Sequence, residues 1–257
     1  MLLLKIVLVP TLIAAITLAT RRWGPRIGGF LTALPVVTGP TLCFYAIEQG
    51  PAFGAGAATG TLIALAAVVA FGVVYARLCG RWSWPPTLAC GWIVFLVATS
   101  TLYFIPQNPV VGIVVVTVSC AIGVRMLPEA EPMAASVPHP AWDIPVRMIA
   151  AVTLVLVLTS LASRLGPSLS GLLTPFPLAT AILAAFTHAQ RGREAVVAFF
   201  AGFIPALVTF GVFCFVLALT LTAIPLGFAI ASALGAQLAL QFLLYQRHRA
   251  RLSLAES

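Results

Sequence analysis

Charged side chains are scarce in this sequence. Only 14 Lys and Arg and 6 Asp and Glu occur among 257 residues, so 8% of the chain is charged. A soluble domain carries about 25% charged residues, and a chain with so few cannot cover a water-facing surface. Hydrophobic residues make up 61% of the sequence, and the mean hydropathy is +1.10. The composition therefore predicts a membrane protein with several spans.

The sequence also lacks the residue groups that enzymes and metal sites need. It has three histidines, no phosphate-binding loop and no Ser–His–Asp group at a plausible membrane depth. The cysteines lie in or beside apolar stretches without disulfide or metal spacing, as small buried residues do: Cys43, Cys79, Cys90, Cys120 and Cys214. We therefore expect no enzymatic activity, no cofactor and no metal site.

The lengths of the apolar stretches predict about nine membrane spans. A hydrocarbon core about 30 Å thick needs roughly 20 apolar residues in a helix. This rule places spans at about 2–20, 27–47, 54–76, 86–105, 109–127, 145–163, 168–189, 195–220 and 223–245. Because Arg21 and Arg22 directly follow the first stretch, we expect it to be retained as a span and not cleaved as a signal peptide.

One long polar linker divides the predicted spans into two groups. It runs from 128 to 145 and is rich in proline. The chain is therefore predicted to consist of a first repeat at 1–106, a connector helix with the polar linker at 107–144, and a second repeat at 145–257. His139 and Asp143 fall in this linker, where we expect them on the surface.

Basic residues accumulate on one side of the predicted spans. Twelve of them share that side: Arg21, Arg22, Arg26, Arg77, Arg81, Arg125, Arg147, Arg191, Arg193, Arg247, Arg249 and Arg251. The opposite side has only Lys5 and Arg164. By the positive-inside rule, the N-terminus lies outside and the C-terminus lies in the cytoplasm of a bacterial inner membrane. The rule also accounts for the net charge of +8 without nucleic acid as a partner.

The stretch from Gly24 to Thr38 is repeated 142 residues later, from Gly166 to Thr180. The residues identical in both copies are Gly24, Pro25, Gly29, Leu31, Thr32, Pro35 and Thr38, and further on Phe44 matches Phe186 and Gly50 matches Gly192. This offset pairs spans one to four with spans six to nine and leaves span five unpaired. Five crossings separate equivalent helices, so the sequence predicts an all-α fold of two inverted four-helix repeats, an arrangement common in secondary transporters.

Prolines and threonines cluster near the middle of spans two and seven. An interior proline removes a backbone donor and frees the carbonyl four residues earlier, such as those of Leu31 and Val36. We predict a substrate path at Thr32, Pro35, Thr38, Pro40, Thr174, Pro175, Pro177 and Thr180. The alternative is two simple kinks repaired by threonine hydroxyls. Gln237 and Gln241, one turn apart on span nine, are either further substrate contacts or hydrogen-bonding links between helices.

Two ionisable residues lie near the ends of the same spans. Glu48 lies at the external end of span two, and His188 lies near the internal end of span seven. Either is a candidate to carry a coupling proton, and the alternative is an ordinary hydrated side chain at the interface.

Glycines in span three have the spacing of close helix contacts. Gly56 and Gly60 lie four residues apart, as in small-residue seams between membrane helices. We expect a neighbouring helix to approach closely there.

The second half resembles the GlpM-like small bacterial inner-membrane proteins. The resemblance rests on the stretches Leu172–Pro177 and Ala184–Gly192, a proline-containing apolar helix followed by a Gly/Arg turn. It implies a membrane unit of about half this chain, duplicated here as an inverted repeat, and implies neither a substrate nor a reaction. The first half departs from the pattern, with Ala33 and Leu34 where the second has Pro175 and Phe176.

These features together predict a secondary transporter or permease that works by alternating access. The scarcity of buried charge favours a small neutral, zwitterionic or amphipathic solute, and the expected partners are this solute and membrane lipid. Assembly into a homo-oligomer is compatible with the sequence. The alternative function is that of a non-transporting membrane protein that assists envelope or complex assembly.

Overall fold

The computed structural model describes residues 2–35, 38–129, 142–165 and 176–255, and all regular structure in this part of the chain is helical. The helices are α1 Leu2–Trp23, α2 Pro25–Thr32, α3 Thr38–Glu48, α4 Pro51–Leu78, α5 Trp84–Leu102, α6 Pro109–Met126, α7 Asp143–Leu165, α8 Leu178–Thr220 and α9 Leu226–Ala255. These bounds follow the predicted spans closely. There are two differences: predicted span two is divided into α2 and α3, and the described parts of predicted spans seven and eight form the single helix α8.

Five of these helices are long and apolar enough to cross a membrane. They are Pro51–Leu78, Trp84–Leu102, Pro109–Met126, Leu178–Thr220 and Leu226–Gln246. This finding agrees with the prediction of an α-helical membrane protein, since a single crossing needs about 20 apolar residues.

Helices α4 and α8 form the centre of the structure. In their apolar stretches 72% and 67% of the residues are buried, compared with 22% in each of α5, α6 and α9. Aromatic side chains fill the contact between the two central helices: the Phe200 ring centroid lies 6.3 Å from that of Phe71 and 5.7 Å from that of Tyr75. The outer helices expose leucine, valine and phenylalanine side chains, as lipid-facing helices do.

Glycines with positive φ mark three chain turns. Gly24 and Gly50 have φ of 90° and 94°, and each is followed by a proline that begins a helix. Gly192 has φ 73° and ψ −166°, which interrupts the 43-residue helix α8. Only glycine adopts this backbone conformation without strain. The Gly/Arg turn predicted between spans seven and eight is therefore present as a kink at Gly192.

The closest helix contact joins α2 to the second part of α8. A Cβ atom built on Gly29 would lie 1.9 Å from the Phe199 carbonyl oxygen, and one built on Gly202 would lie 1.9 Å from the Arg26 carbonyl oxygen. The two backbones therefore touch at two points, and a side chain at either glycine would separate them.

The close contact expected at Gly56 and Gly60 is absent among the described residues, so that prediction is wrong for this part of the chain. Here a Cβ atom on Gly56 would meet nothing within 4 Å, and one on Gly60 would meet only the Gln107 Oε1 atom, at 3.8 Å. Spacing alone does not select a contact, because the same small-residue pattern can face lipid.

Candidate functional site

The helix break predicted around Pro35 is present. Helix α2 ends at Thr32, and α3 begins at Thr38. Pro35 has no amide hydrogen to donate to the Leu31 carbonyl, which instead accepts from the amide of Leu34 at 3.1 Å. The expectation that the Leu31 carbonyl is free is therefore wrong. In a continuous helix the Leu34 amide would donate to the Phe30 carbonyl. Because the turn is tighter here, the Phe30 carbonyl does not accept from Leu34.

Gln237 and Gln241 of α9 both reach this break. The Gln241 Nε2 atom donates to the Phe30 carbonyl at 3.2 Å, and the Gln237 Nε2 atom donates to the Ala33 carbonyl at 3.4 Å. Their exposed fractions are 6% and 0%. Because a carbonyl can only accept, these contacts fix which amide atom of each glutamine faces the break. The structure thus brings together the two groups that the sequence had placed on separate spans.

The other polar side-chain atom of each glutamine is an acceptor. The Oε1 atoms of Gln237 and Gln241 are buried and accept no hydrogen bond from any residue that the structure describes. Leaving a buried acceptor unpaired costs about 1–3 kcal/mol, so such atoms are rare unless a ligand or water completes them. Beside a helix break, they present two acceptors one turn apart.

The other predicted residues of the first break lie at the end of α2, in the break itself or at the start of α3. The Thr32 hydroxyl donates to the Gly28 carbonyl of its own helix at 2.7 Å. Pro35 is buried within the break, and Thr38 and Pro40 lie half-buried in the first turn of α3. Since proline is tolerated in a first turn, Pro40 does not break its helix. The Thr32 bond is the ordinary contact of a helical threonine with its own helix, and a part of Thr32 in a substrate path stays a prediction.

The second predicted break lies partly within the described structure. Thr174 and Pro175 lie outside the described residues, and so does the rest of the second copy of the repeat from 166 to 173. In the first copy, Val36, whose carbonyl was predicted to be free, also lies outside them. Pro177 is buried at the N-cap of α8, and Thr180 is buried in the first turn. Helix α8 thus begins directly after Pro177, and a break within predicted span seven stays a prediction.

An aromatic and polar face of α5 packs against this second break. The Phe176 ring centroid lies 5.7 Å from that of Trp92 and 5.5 Å from that of Phe95. On the same helix, the Trp92 Nε1 and Thr99 Oγ1 atoms are buried and have no hydrogen-bond partner in the described part of the chain. Residues three, four and seven apart share one helix face, so these unpaired atoms belong to the face that meets Phe176. The sequence analysis did not single out Trp92 for this role.

The two candidate proton carriers lie on α3 and α8. Glu48 is the last residue of α3 and is exposed. His188 is half-buried on α8, with its Nδ1 atom 3.4 Å from the Tyr75 hydroxyl oxygen and the two rings packed edge to face. A part in proton coupling stays a prediction for both residues.

Asp143 is not a surface residue, so that expectation is wrong. It is fully buried at the start of α7, where its carboxylate accepts hydrogen bonds from Arg21, Arg147 and Gln190. Two sequence signals pointed to this role: Asp143 is the only aspartate of the chain, and Arg147 follows one helical turn later.

Within the described residues, no group of three or more His, Cys, Asp or Glu side chains is placed to hold a metal ion. No protein-family model, curated protein or solved structure matches this chain.

Proposed function

We propose that this protein is a secondary transporter or permease of the bacterial inner membrane, which moves a small neutral, zwitterionic or amphipathic solute by alternating access. The observation that carries the proposal is the pair of buried, unpartnered carbonyl oxygens of Gln237 and Gln241 beside the break between α2 and α3. Transporters commonly bind their solutes at such discontinuous helices.

The chemistry of the unpaired atoms supports an uncharged or zwitterionic solute. The glutamine oxygens accept hydrogen bonds, the Trp92 indole donates, and the Thr99 hydroxyl can do both. None of these side chains carries a charge. The end of α2 and the start of α3 also bring a partially negative and a partially positive helix terminus to the same break, which suits a zwitterion.

The positions of these residues support the inverted repeat. Phe95 and Thr99 precede Gln237 and Gln241 by 142 residues, the offset of the repeated Gly-Pro stretch. Gln237 and Gln241 meet the break between α2 and α3, and Phe95 of α5 meets Phe176, which directly precedes α8. Reciprocal contacts of this kind are expected when two halves are related by a two-fold axis in the membrane plane.

Helix lengths support nine crossings. The 43 residues of α8 would extend about 65 Å as one helix, roughly twice a hydrocarbon core, so its kink at Gly192 divides it into two crossings. Gly50 and Gly192, which the offset pairs, both have positive φ and connect consecutive crossings. With α2 and α3 counted as one broken crossing, the helices amount to nine.

The topology gives a direct prediction. A reporter enzyme fused after Ser257 should show cytoplasmic activity, because twelve of the fourteen basic residues lie on that side. The measurement is a pair of fusions, one active only in the cytoplasm and one active only in the periplasm. Periplasmic activity at this position would contradict the topology and the inverted arrangement built on it.

Alternating access predicts that the glutamine face reaches water from both sides of the membrane. In a chain whose native cysteines are replaced, Gln241→Cys and Thr99→Cys should react with a membrane-impermeant maleimide in right-side-out and in inside-out vesicles. If the conformation open to one side of the membrane is populated at only about 0.1–10%, labelling from this side should be slower by about 10- to 1,000-fold but should still occur.

Leu238→Cys is the matched control. Leu238 follows Gln237 directly but is 55% exposed on the outer surface of α9, where lipid excludes the reagent. If neither Gln241→Cys nor Thr99→Cys is labelled more than this control, the result contradicts a transport path. The glutamines would then be links between helices. In that case the assembly function gains support, and the purified protein should retain a protein partner and show no thermal shift with polyols or amino acids.

A further inference from the structure

A polar network joins the two halves of the chain on the predicted cytoplasmic side. The Arg21 Nη2 atom of α1 donates to the Asp143 Oδ2 atom of α7 at 2.8 Å, and the Arg147 Nε atom donates to the Asp143 Oδ1 atom at 2.7 Å. Gln190 of α8 donates to the same Oδ1 atom and accepts from the Arg147 Nη2 atom at 3.2 Å. Asp143 is fully buried, so α1, α7 and α8 close around its carboxylate.

The network lies beside the helix segments that lead to the two predicted breaks. Arg21 is in the last turn of α1, and the next helix, α2, ends at the first break. Helix α8 begins directly after Pro177 and reaches Gln190 two residues before its kink at Gly192. A path from the breaks to the predicted cytoplasmic side would follow these segments, and the network stands where such a path would open.

The 142-residue offset relates two members of the network to residues on the opposite side. Gln190 corresponds to Glu48, and Arg147 corresponds to Lys5. Gln190 and Glu48 each precede a glycine of positive φ by two residues, whereas Arg147 and Lys5 each lie near the start of a helix. The loop charges place Glu48 and Lys5 on the predicted external side. The repeat thus provides an acid and a base there, at positions equivalent to those of the network.

The two sides differ in the described structure. On the predicted cytoplasmic side, Asp143 is buried and paired with Arg21 and Arg147. On the predicted external side, Glu48 is the last residue of α3 and is exposed. Alternating access requires such a difference, because one side of the path is closed while the other is open.

We propose that Arg21, Asp143 and Gln190 form a cytoplasmic gate, and that Glu48 and Lys5 pair as an external gate when the cytoplasmic gate opens. The inference rests on the proposed transport function. Opening the cytoplasmic gate separates α1 from α7 and α8, and closing the external gate joins α3 to α1. The described conformation has the cytoplasmic gate closed. In this role Glu48 acts as a carboxylate and carries no coupling proton.

The test measures how fast Gln241→Cys reacts with a membrane-impermeant maleimide in inside-out vesicles, in the chain whose native cysteines are replaced. The reagent then reaches the protein from the cytoplasmic side. Arg21→Gln removes a hydrogen bond between charged groups from the cytoplasmic gate, so labelling should become about tenfold faster. Glu48→Gln removes the acid of the external gate, so labelling should become about two- to fivefold slower.

An exchange of charges tests the external pair directly. Glu48→Lys places two bases together and should slow labelling more than Glu48→Gln does. Adding Lys5→Glu to Glu48→Lys should restore the parent rate, because the two charges then attract again. A double variant no faster than Glu48→Lys alone would show that the two residues do not pair.

Two controls separate gating from general effects. Arg22→Gln removes the same charge from the exposed neighbour of Arg21 and should be labelled as the parent is. In the Leu238→Cys chain, none of these substitutions should speed labelling, which excludes a general loosening of the structure. If Arg21→Gln does not fold, Gln190→Ala takes its place, because it leaves both ion pairs of Asp143 intact.

The outcomes distinguish this inference from the proposed function. Equal labelling of the parent, Arg21→Gln and Glu48→Gln from the cytoplasmic side would contradict the gates and leave the transport path in place. Equally faster labelling of Arg21→Gln and Arg22→Gln would also contradict them, since it would show only an effect of surface charge. If Gln241→Cys is labelled from neither side in any variant, the transport function is wrong, and so are the gates.

Discussion

Replacing Gly29 with alanine is expected to destabilise the protein by at least about 3 kcal/mol, the upper range for overpacked sites. The added methyl group would lie 1.9 Å from the Phe199 carbonyl oxygen, whereas real Cβ contacts below 3.0 Å essentially never occur. The obstacle is backbone and cannot rotate away. Helices α2 and α8 must separate, and the cost includes the packing lost along their whole contact.

Gly202→Ala should have an effect of similar size, because its methyl group would meet the Arg26 carbonyl oxygen at the same distance. Gly56→Ala is the control: it is an exposed helical glycine with nothing within 4 Å, and alanine there should be neutral or slightly stabilising. Unfolding in detergent and the yield of membrane-inserted protein measure all three. Equal stability of the Gly29 and Gly56 variants would show that α2 and α8 do not touch.

Asp143→Asn is expected to destabilise the protein by about 3–5 kcal/mol, the range for removing one partner of a buried ion pair. Asp143 is fully buried and Arg147 is 5% exposed, so the substitution leaves a buried guanidinium without its counter-charge. Asparagine keeps the shape of aspartate. The loss of stability therefore measures the missing negative charge and not a change in packing.

The same interaction predicts a dependence on pH. Burial raises the pKa of Asp143, but hydrogen bonds from Arg147, Arg21 and Gln190 together outweigh it, so the pKa lies below its ordinary value. Asp143 lies outside the predicted membrane spans, because the nearest span begins at 145. A carboxylate with a lowered pKa stabilises the folded state above its unfolded pKa of about 4, and this stabilisation is lost as the pH falls through the folded pKa.

Unfolding midpoints measured from pH 7 down to pH 3 test this prediction. The difference between the wild type and Asp143→Asn should be constant at neutral pH and shrink below about pH 4. Glu48→Gln removes an exposed carboxylate at the end of α3 and should behave as the wild type. If the Asp143→Asn protein is as stable as Glu48→Gln at pH 7, the Asp143 carboxylate does not pair with Arg21 and Arg147 as described.

Most helix bounds could be predicted from the sequence, and so could the break in the first repeat. Hydropathy fixes where a helix can cross a membrane, and glycine and proline act on their own backbone. These are local properties. The turn at Gly192 and the break before Thr38 could therefore be predicted without any knowledge of neighbouring helices.

The candidate site could be predicted only in part. Gln237 and Gln241 were recognised because two amides one turn apart are rare in an apolar helix. Their partners, the carbonyls of Phe30 and Ala33, lie more than 200 positions away in the chain. The unpaired indole of Trp92 gave no signal, because a tryptophan in a membrane helix is equally typical of a lipid-facing position.

By itself, then, the sequence determined the class of protein, the places where helices begin and end, and the repeated Gly-Pro frame. The tertiary structure alone decided that Gly29 and not Gly56 lies at a helix contact, and that Asp143 is buried among arginines. The physical reason is that membrane helices are apolar on every face. Without an amphipathic pattern, the sequence does not indicate which face meets another helix and which meets lipid.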